Sequence, residues 1–246
     1  MLRAFAVPPF VSIVSLGLDM HRTIAGILAV LKWPAAIFSV AYFPASLWAL
    51  CAEMALDIHV RSTFLPLAIG VLSYFLVWNV WLRHSNLTWL SALEHELVHA
   101  IFALLTGNRP VSLRVTLRSG GLFQYRGSPN FLIAVSPYFT PLGTIVVLGA
   151  TAFVPVKYLW FRYAAVGVTL GFHVTSTLNE VHAGQTDLRD DTGLLFAFLF
   201  LPTANAVSLA LVFADLRAHW HGMAQLLLSV RDAPCNPLHL WDGLRR

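Results

Sequence analysis

Glu94-His95-Glu96-Leu97-Val98-His99 is the stretch from which the rest of the chain is read. Inside it lies H-E-x-x-H, formed by His95, Glu96 and His99. On a helix, residues four apart stand one above the other on the same face. Two imidazoles so placed reach one ion, at about 2.0–2.1 Å each for zinc. Glu96 then sits beside the ion, where its carboxylate can take a proton from a metal-bound water. The chain has 10 His and few Glu, so this composition yields roughly 0.007 chance copies of the pattern. The flanks are Leu93, Leu97, Val98, Ala100, Ile101, Phe102, Ala103, Leu104 and Leu105. A charged residue on so apolar a helix is costly unless it is paired or functional. A metal site is the better reading than a helix that happens to carry two histidines and a glutamate.

The surroundings explain why that helix is apolar. The 246 residues are 57% hydrophobic and 11% charged, with mean hydropathy +0.69. Ordinary globular chains are about 25% charged. Together with long apolar runs, this deficit marks an integral membrane protein with little room for a separate soluble module. The 16 basic and 12 acidic residues leave a net charge of +4. The basic residues are scattered singly, as loop and interface anchors, and form no nucleic-acid surface. Cys51 and Cys235 form neither a disulfide framework nor a thiolate metal site. Met1-Leu2-Arg3 and the apolar stretch to Leu18 resemble a signal peptide. Pro8-Pro9 and the absence of a small-x-small site favour a retained interfacial or membrane segment.

Working outward, residues 4–18 are short for a span, which needs about 20 residues. One span is expected near 35–56, kinked at Pro44, with a partial or tilted helix before Pro34. A second is expected at 64–83, with Trp78 and Trp81 in an interfacial belt. The motif helix is expected at about 90–106, capped by Thr88 or Ser91 and stopped by Gly107-Asn108-Arg109-Pro110. Val111, Leu113, Val115 and Leu117 alternate with Ser112, Arg114, Thr116 and Arg118, a strand period. Ser119-Gly120-Gly121 then supplies a turn, and Leu122–Arg126 a return strand. The arginines place this hairpin at the membrane surface or in a wet cavity, because a lipid-facing sheet edge leaves backbone groups unpaired. A span at 130–154 is broken by Ser136-Pro137-Tyr138 and Pro141, as a plain kink or as a bend that opens space beside the metal. Spans at 158–178 and 193–213 follow, and then a short amphipathic or surface helix at 223–230. The expected fold is an all-α polytopic membrane protein with about six transmembrane helices and a small β-hairpin after the metal-motif helix.

A catalytic zinc has three protein ligands and an open position, and the motif supplies two. The polar cluster after residue 178 offers Glu180, His182, Asp187, Asp190 and Asp191, with His173 just before it. Chemistry admits any of these as the third. Each can also be an ordinary solvated loop residue, and Arg189 can pair with Asp190 or Asp191 to little energetic effect.

His95, Glu96, His99 and Ala100 on a membrane helix, then Thr106-Gly107 and a hairpin, then a proline-bearing span and a later acid, resemble the site-2 protease family of intramembrane zinc metalloproteases. Asn179 and Asp187 have the spacing of that family's N-x-x-P-x-x-P-x-D pattern. His182 and Gln185 stand where its prolines would be, and Thr186-Asp187-Leu188 replaces its Leu-Asp-Gly. The resemblance covers roughly residues 64–213 and is to a divergent, short form without a PDZ domain. It divides the chain into N-terminal membrane segments (1–63), a metalloprotease-like membrane core (64–213) and a tail (214–246).

The resemblance implies Zn²⁺ on His95, His99 and Asp187, with Glu96 as the catalytic base. Glu180 is the next choice of third ligand, as in membrane proteases of the CAAX-processing type, and His173 the one after. It implies Asn179, or less directly Asn130, as oxyanion donor. It also implies peptide-bond hydrolysis in a membrane protein or peptide substrate, in the lipid bilayer of a bacterial cell membrane, by a multi-pass protein. It leaves the oligomeric state open. Two other classes stand beside it. A non-catalytic metal-binding membrane protein would close the site with a fourth ligand such as His182 or His173. A transporter would line a polar path with His95 and Glu96, and would carry a duplicated half with broken helices, which the sequence lacks.

Overall fold

The computed structural model describes residues 11–59, 61–85, 89–116, 120–182 and 184–237. Residues 4–10, Thr88, Arg118, Ser119 and the C-terminal Trp241-Asp242-Gly243 lie outside these residues.

Helix α1 (Val11–His59) is 49 residues long and runs unbroken through Pro34 and Pro44. A separate partial helix before Pro34 was the expectation. Proline removes one backbone hydrogen bond per position, and contacts along one flank offset that loss. The partner is α7 (Leu194–Arg231). Ala36, Ser39, Ala45, Ser46 and Ala49 are buried, so the two helices approach closely. Trp33 meets the Phe196 ring at 6.3 Å, Thr203 donates to the Ser39 carbonyl at 2.6 Å, and Arg217 pairs with Glu53 at 2.8 Å. The paired numbers rise together, so the two helices run parallel.

At 1.5 Å per residue α1 is about 73 Å long, more than twice the hydrocarbon core of a bilayer. Its first turns therefore extend past the start of α7. There His21 Nδ1 hydrogen-bonds Ser128 Oγ at 3.0 Å, and Met20 lies against Gly107.

Helices α2 (Arg61–Val80) and α6 (Leu159–Glu180) form the second pair. A Cβ on Gly70 would strike the Ala164 carbonyl, and one on Gly167 would strike the Leu67 carbonyl. The two backbones are thus in contact, as small residues permit inside membranes. Gly167 and Gly171 form a G-x-x-x-G within α6, and this sequence feature points directly to the pairing. Tyr74 packs on Gly171 and accepts a hydrogen bond from Thr175 at 3.1 Å.

The motif helix α3 (Trp89–Leu105) ends as expected. Gly107 adopts φ +76°, its N–H reaches the Leu104 carbonyl, and the Asn108 N–H reaches the Ala103 carbonyl. This is a Schellman stop, satisfying carbonyls the last turn would leave free.

Strands β1 (Arg109–Thr116) and β2 (Gly120–Arg126) pair antiparallel, with Leu113 opposite Phe123 and a register shift between Pro110 and Ser112. The expected turn glycines belong to β2 itself. Gly121, Phe123 and Tyr125 are the less exposed face of β2.

The expected 130–154 span is two helices, α4 (Phe131–Val135), prolonged by the Ser136–Tyr138 turn, and α5 (Leu142–Ala150), bent by 72°. The segment expected as a short helix at 223–230 is helical and follows a sharp reversal within α7. A Cβ on Gly222 would strike the Ala214 carbonyl, whereas eight residues of straight helix span about 12 Å. The chain therefore doubles back there, and Leu226 packs with Ala49, Ala210 and Ala214.

Among the described residues, Met20–Ala55 and Leu194–Arg217 are long and apolar enough to cross a membrane, and the bent pair adds a third if counted as one span. The expectation of about six is met only to this extent. Phe64–Val80 is apolar but short. Helix α6 forms where expected, but Arg162, His173 and the run Thr175-Ser176-Thr177 lower its apolarity. Arg162 is buried against Asp215 at 2.7 Å, at the far end of the bundle from the motif.

Candidate metal centre

Five pieces of chain meet around α3. His95 and His99 are both buried, and their rings approach to 4.7 Å. His95 Nδ1 lies 2.7 Å from Glu180 Oε2, at the end of α6. His99 Nδ1 lies 2.7 Å from the Ile133 carbonyl in α4. A carbonyl only accepts, so His99 Nδ1 carries the proton. An ionised Glu180 sets the same tautomer on His95. Both Nε2 atoms then present lone pairs, and they face each other at 3.0 Å. Asp187 Oδ2 stands 3.3 Å from each.

Asp187 opens a single π-type turn, Asp187–Thr192, between α6 and α7. Thr192 Oγ1 donates to the Asp187 carbonyl at 2.9 Å and closes that turn. Burial and the negative charges of Asp187 and Asp190 push the Asp191 carboxyl up.

Two lone pairs and a carboxylate oxygen aimed at one point repel one another unless a cation lies between them. Ligand atoms on a tetrahedral ion at about 2.0–2.1 Å sit about 3.3 Å apart, close to the spacing found. The donor set therefore fits a zinc-sized ion. Among the described residues no fourth His, Cys, Asp or Glu joins this group, whose ligand atoms lie within 4.8 Å of one another. The remaining side opens onto a cavity of about 820 Å³, lined by Glu96, Asn130, Asp191 and the inner face of β2.

The partners around this group are themselves held. Glu180 accepts from Ser91 and Ser176 at 2.5 and 3.2 Å. Ser91, expected as a helix cap, thus serves the α6 contact instead. Tyr138 donates to Asp187 Oδ2 at 3.3 Å, and its ring stands edge-on to His95. Glu94 accepts the Gly143 N–H at 2.7 Å and ties the motif helix to the start of α5. The break at 136–141 is thus a bend that brings the Ile133 carbonyl and Tyr138 to the motif. Glu96 packs on Gly121, where a Cβ would collide with its carboxylate. The alternation of the hairpin hints at this approach, but the need for a bare glycine shows only in the fold.

Other candidates lie elsewhere. Glu180 meets His95 through the nitrogen that points away from the group. His173 faces a different groove, between α6 and α7. His182 is exposed and accepts the Gly184 N–H at 3.2 Å. Asp190 pairs with Arg189 in the open. Asn179 is exposed, whereas Asn130 lines the cavity with Nδ2 unpartnered and Oδ1 capping α4. Lys32 lines the cavity from α1, with its ammonium 5.3 Å from the centre of the Phe196 ring.

No curated protein and no solved structure is significantly similar to the chain. Residues 66–216 match the model of the Peptidase M50B-like family, and this stretch contains the motif, the hairpin, the bent pair and Asp187. The chain belongs to the Peptidase M50B-like family.

Proposed function

We propose that this chain is a zinc-dependent, multi-pass intramembrane or juxtamembrane endopeptidase that hydrolyses peptide bonds of membrane-associated substrates. The observation that carries this reading is the convergence of His95 Nε2, His99 Nε2 and Asp187 Oδ2 beside Glu96 on an open cavity. In this reading His95, His99 and Asp187 hold the ion. Bound there, zinc supplies a Lewis acid and an acidified water.

Glu96 would take a proton from the attacking water and return it to the leaving amine as the C–N bond breaks. Gly121 keeps the space that carboxylate needs. Glu180 and the Ile133 carbonyl hold the imidazoles in the metal-binding tautomer, the role such outer partners play at zinc sites. Asn130 offers a side-chain donor for the developing oxyanion. Among the described residues strand β2 pairs with β1 alone, and residues 120–123 line the cavity. This strand beside Glu96 supports an extended substrate added to the hairpin.

The test is metal content of the detergent-purified protein by elemental analysis, alongside new N-termini in membrane vesicles carrying the protein. Wild type and Glu96→Gln should each hold a single zinc, and only wild type should generate new termini. A well-folded, metal-replete wild type without zinc would sink the reading.

A further inference from the structure

Ala25, Ala29 and Lys32 follow one another along one face of α1, and all three line the cavity beside the metal group. This wall comes from outside the stretch 66–216 that matches the family. The alanines leave room, and Lys32 is the one Lys or Arg among the described lining residues. Five carboxylates share the cavity with it, from Glu96, Glu180, Asp187, Asp190 and Asp191. An ammonium among so many acids is expected to pair with one of them.

It does not. Among the described residues Lys32 pairs with no carboxylate, and three of the acids already have partners. Asp190 pairs with Arg189, Glu180 with His95, and Asp187 with both motif histidines. Lys32 is held by aromatic rings instead. Its Nζ lies 5.3 Å from the centre of the Phe196 ring and 6.0 Å from that of Trp33. Phe196 is fully buried and meets Trp33 and Phe131 edge-on, so the platform under the charge is fixed. A ring face attracts the cation through its quadrupole and leaves its three N–H donors to other acceptors. Lys32 is half-buried, so water serves those donors while the cavity is open. A peptide that fills the cavity displaces that water, and a dehydrated charge is costly unless it is paired.

We infer that Lys32 selects substrates with an acidic side chain close to the bond that is cut, and pairs with that Asp or Glu carboxylate inside the cavity. The inference rests on the endopeptidase reading and adds a side-chain preference to it. The sign of the preference is set by one residue. The five acids by themselves repel an acidic peptide and favour a basic one, and the ammonium on α1 reverses that choice locally.

Binding is measured apart from cleavage. The full chain carrying Glu96→Gln is placed in lipid nanodiscs, incubated with zinc and exposed to a pool of short peptides randomised at their central positions. The retained peptides are sequenced by mass spectrometry. Asp and Glu should be enriched over Asn and Gln about tenfold, the size of one hydrogen bond between charged groups. Lys32→Met keeps the apolar stem and should abolish the enrichment, Lys32→Arg should keep it, and Lys32→Glu should turn it towards Lys and Arg. If no peptide is retained, or the retained peptides show no acidic enrichment, the inference is overturned, as it would be if Asp191 took Lys32 once the cavity fills. Enrichment that survives Lys32→Met overturns it too, because the acids would then be bound by the metal. The Glu96→Gln pool needs no Lys32 variant, so misfolding of one cannot shelter the inference. Failure of the protease reading shows separately, as zinc-loaded wild type that generates no new N-termini, and leaves the binding result intact.

Discussion

Asp187 faces a polar cavity, and Leu188, its neighbour in the chain, faces an apolar groove. On the cavity side each imidazole is doubly engaged, Nδ1 with a fixed acceptor and Nε2 with the metal-binding group. On the groove side His173 keeps one nitrogen unsatisfied. The difference is one of preorganisation. The cavity fixes its donors before anything binds, as a site for chemistry must. The groove is apolar, and the unsatisfied nitrogen of His173 is buried rather than open to it. Substitutions on each side should therefore differ in kind.

The largest effect should come from Asp187→Ala, which removes one of three donors. Zinc should fall from a single ion per chain to background in elemental analysis, while circular dichroism stays helical. Glu96→Gln should keep the zinc and lower the appearance of new N-termini by about 10²–10⁴-fold, the usual share of a general base. Glu180→Gln touches the ion only through His95, so competition with a chelator should show zinc affinity lower by about 10–100-fold. If Glu180→Gln instead lost zinc as completely as Asp187→Ala, Glu180 would be a ligand and the division drawn here would fail.

Gly167→Leu probes the scaffold common to both sides. It should force α2 from α6 and lower stability by about 1–3 kcal/mol in thermal unfolding, without altering zinc stoichiometry below the transition. Chelation of the wild type gives an effect of similar size. A ligand at a hundred times its Kd stabilises by about 2.7 kcal/mol, and removing zinc should forfeit that much in the same assay. His173→Phe should be the mildest, leaving both zinc and melting unchanged.

Much of the site is written locally. The i, i+4 spacing places His95 and His99 on one face, because helix geometry fixes it. The glycine and proline after Leu105 set the end of that helix, and the alternation of 111–116 sets a strand. Asp187 could be chosen only through the resemblance, because the spacing from Asn179 carries no physical requirement of its own. The same resemblance pointed to Asn179 as oxyanion donor, yet that residue is exposed. Of the expected spans, two described helices, or three with the bent pair, have the length and apolarity to cross a membrane, and α6 forms where expected but carries Arg162 and His173.

The sequence by itself determined the composition of a membrane protein and one apolar helix with metal-ligand spacing, since composition and short-range periodicity suffice for that. Only the tertiary structure decided which acid meets the two histidines and which accepts from one of them. It also decided that His173 turns away from both. Glu180 and Asp187 are alike in chemistry and seven residues apart, and His173 is another seven before Glu180. What separates their roles is which face of α6, and which side of the turn after it, each one occupies, and that is set by packing against α2, α3 and α7.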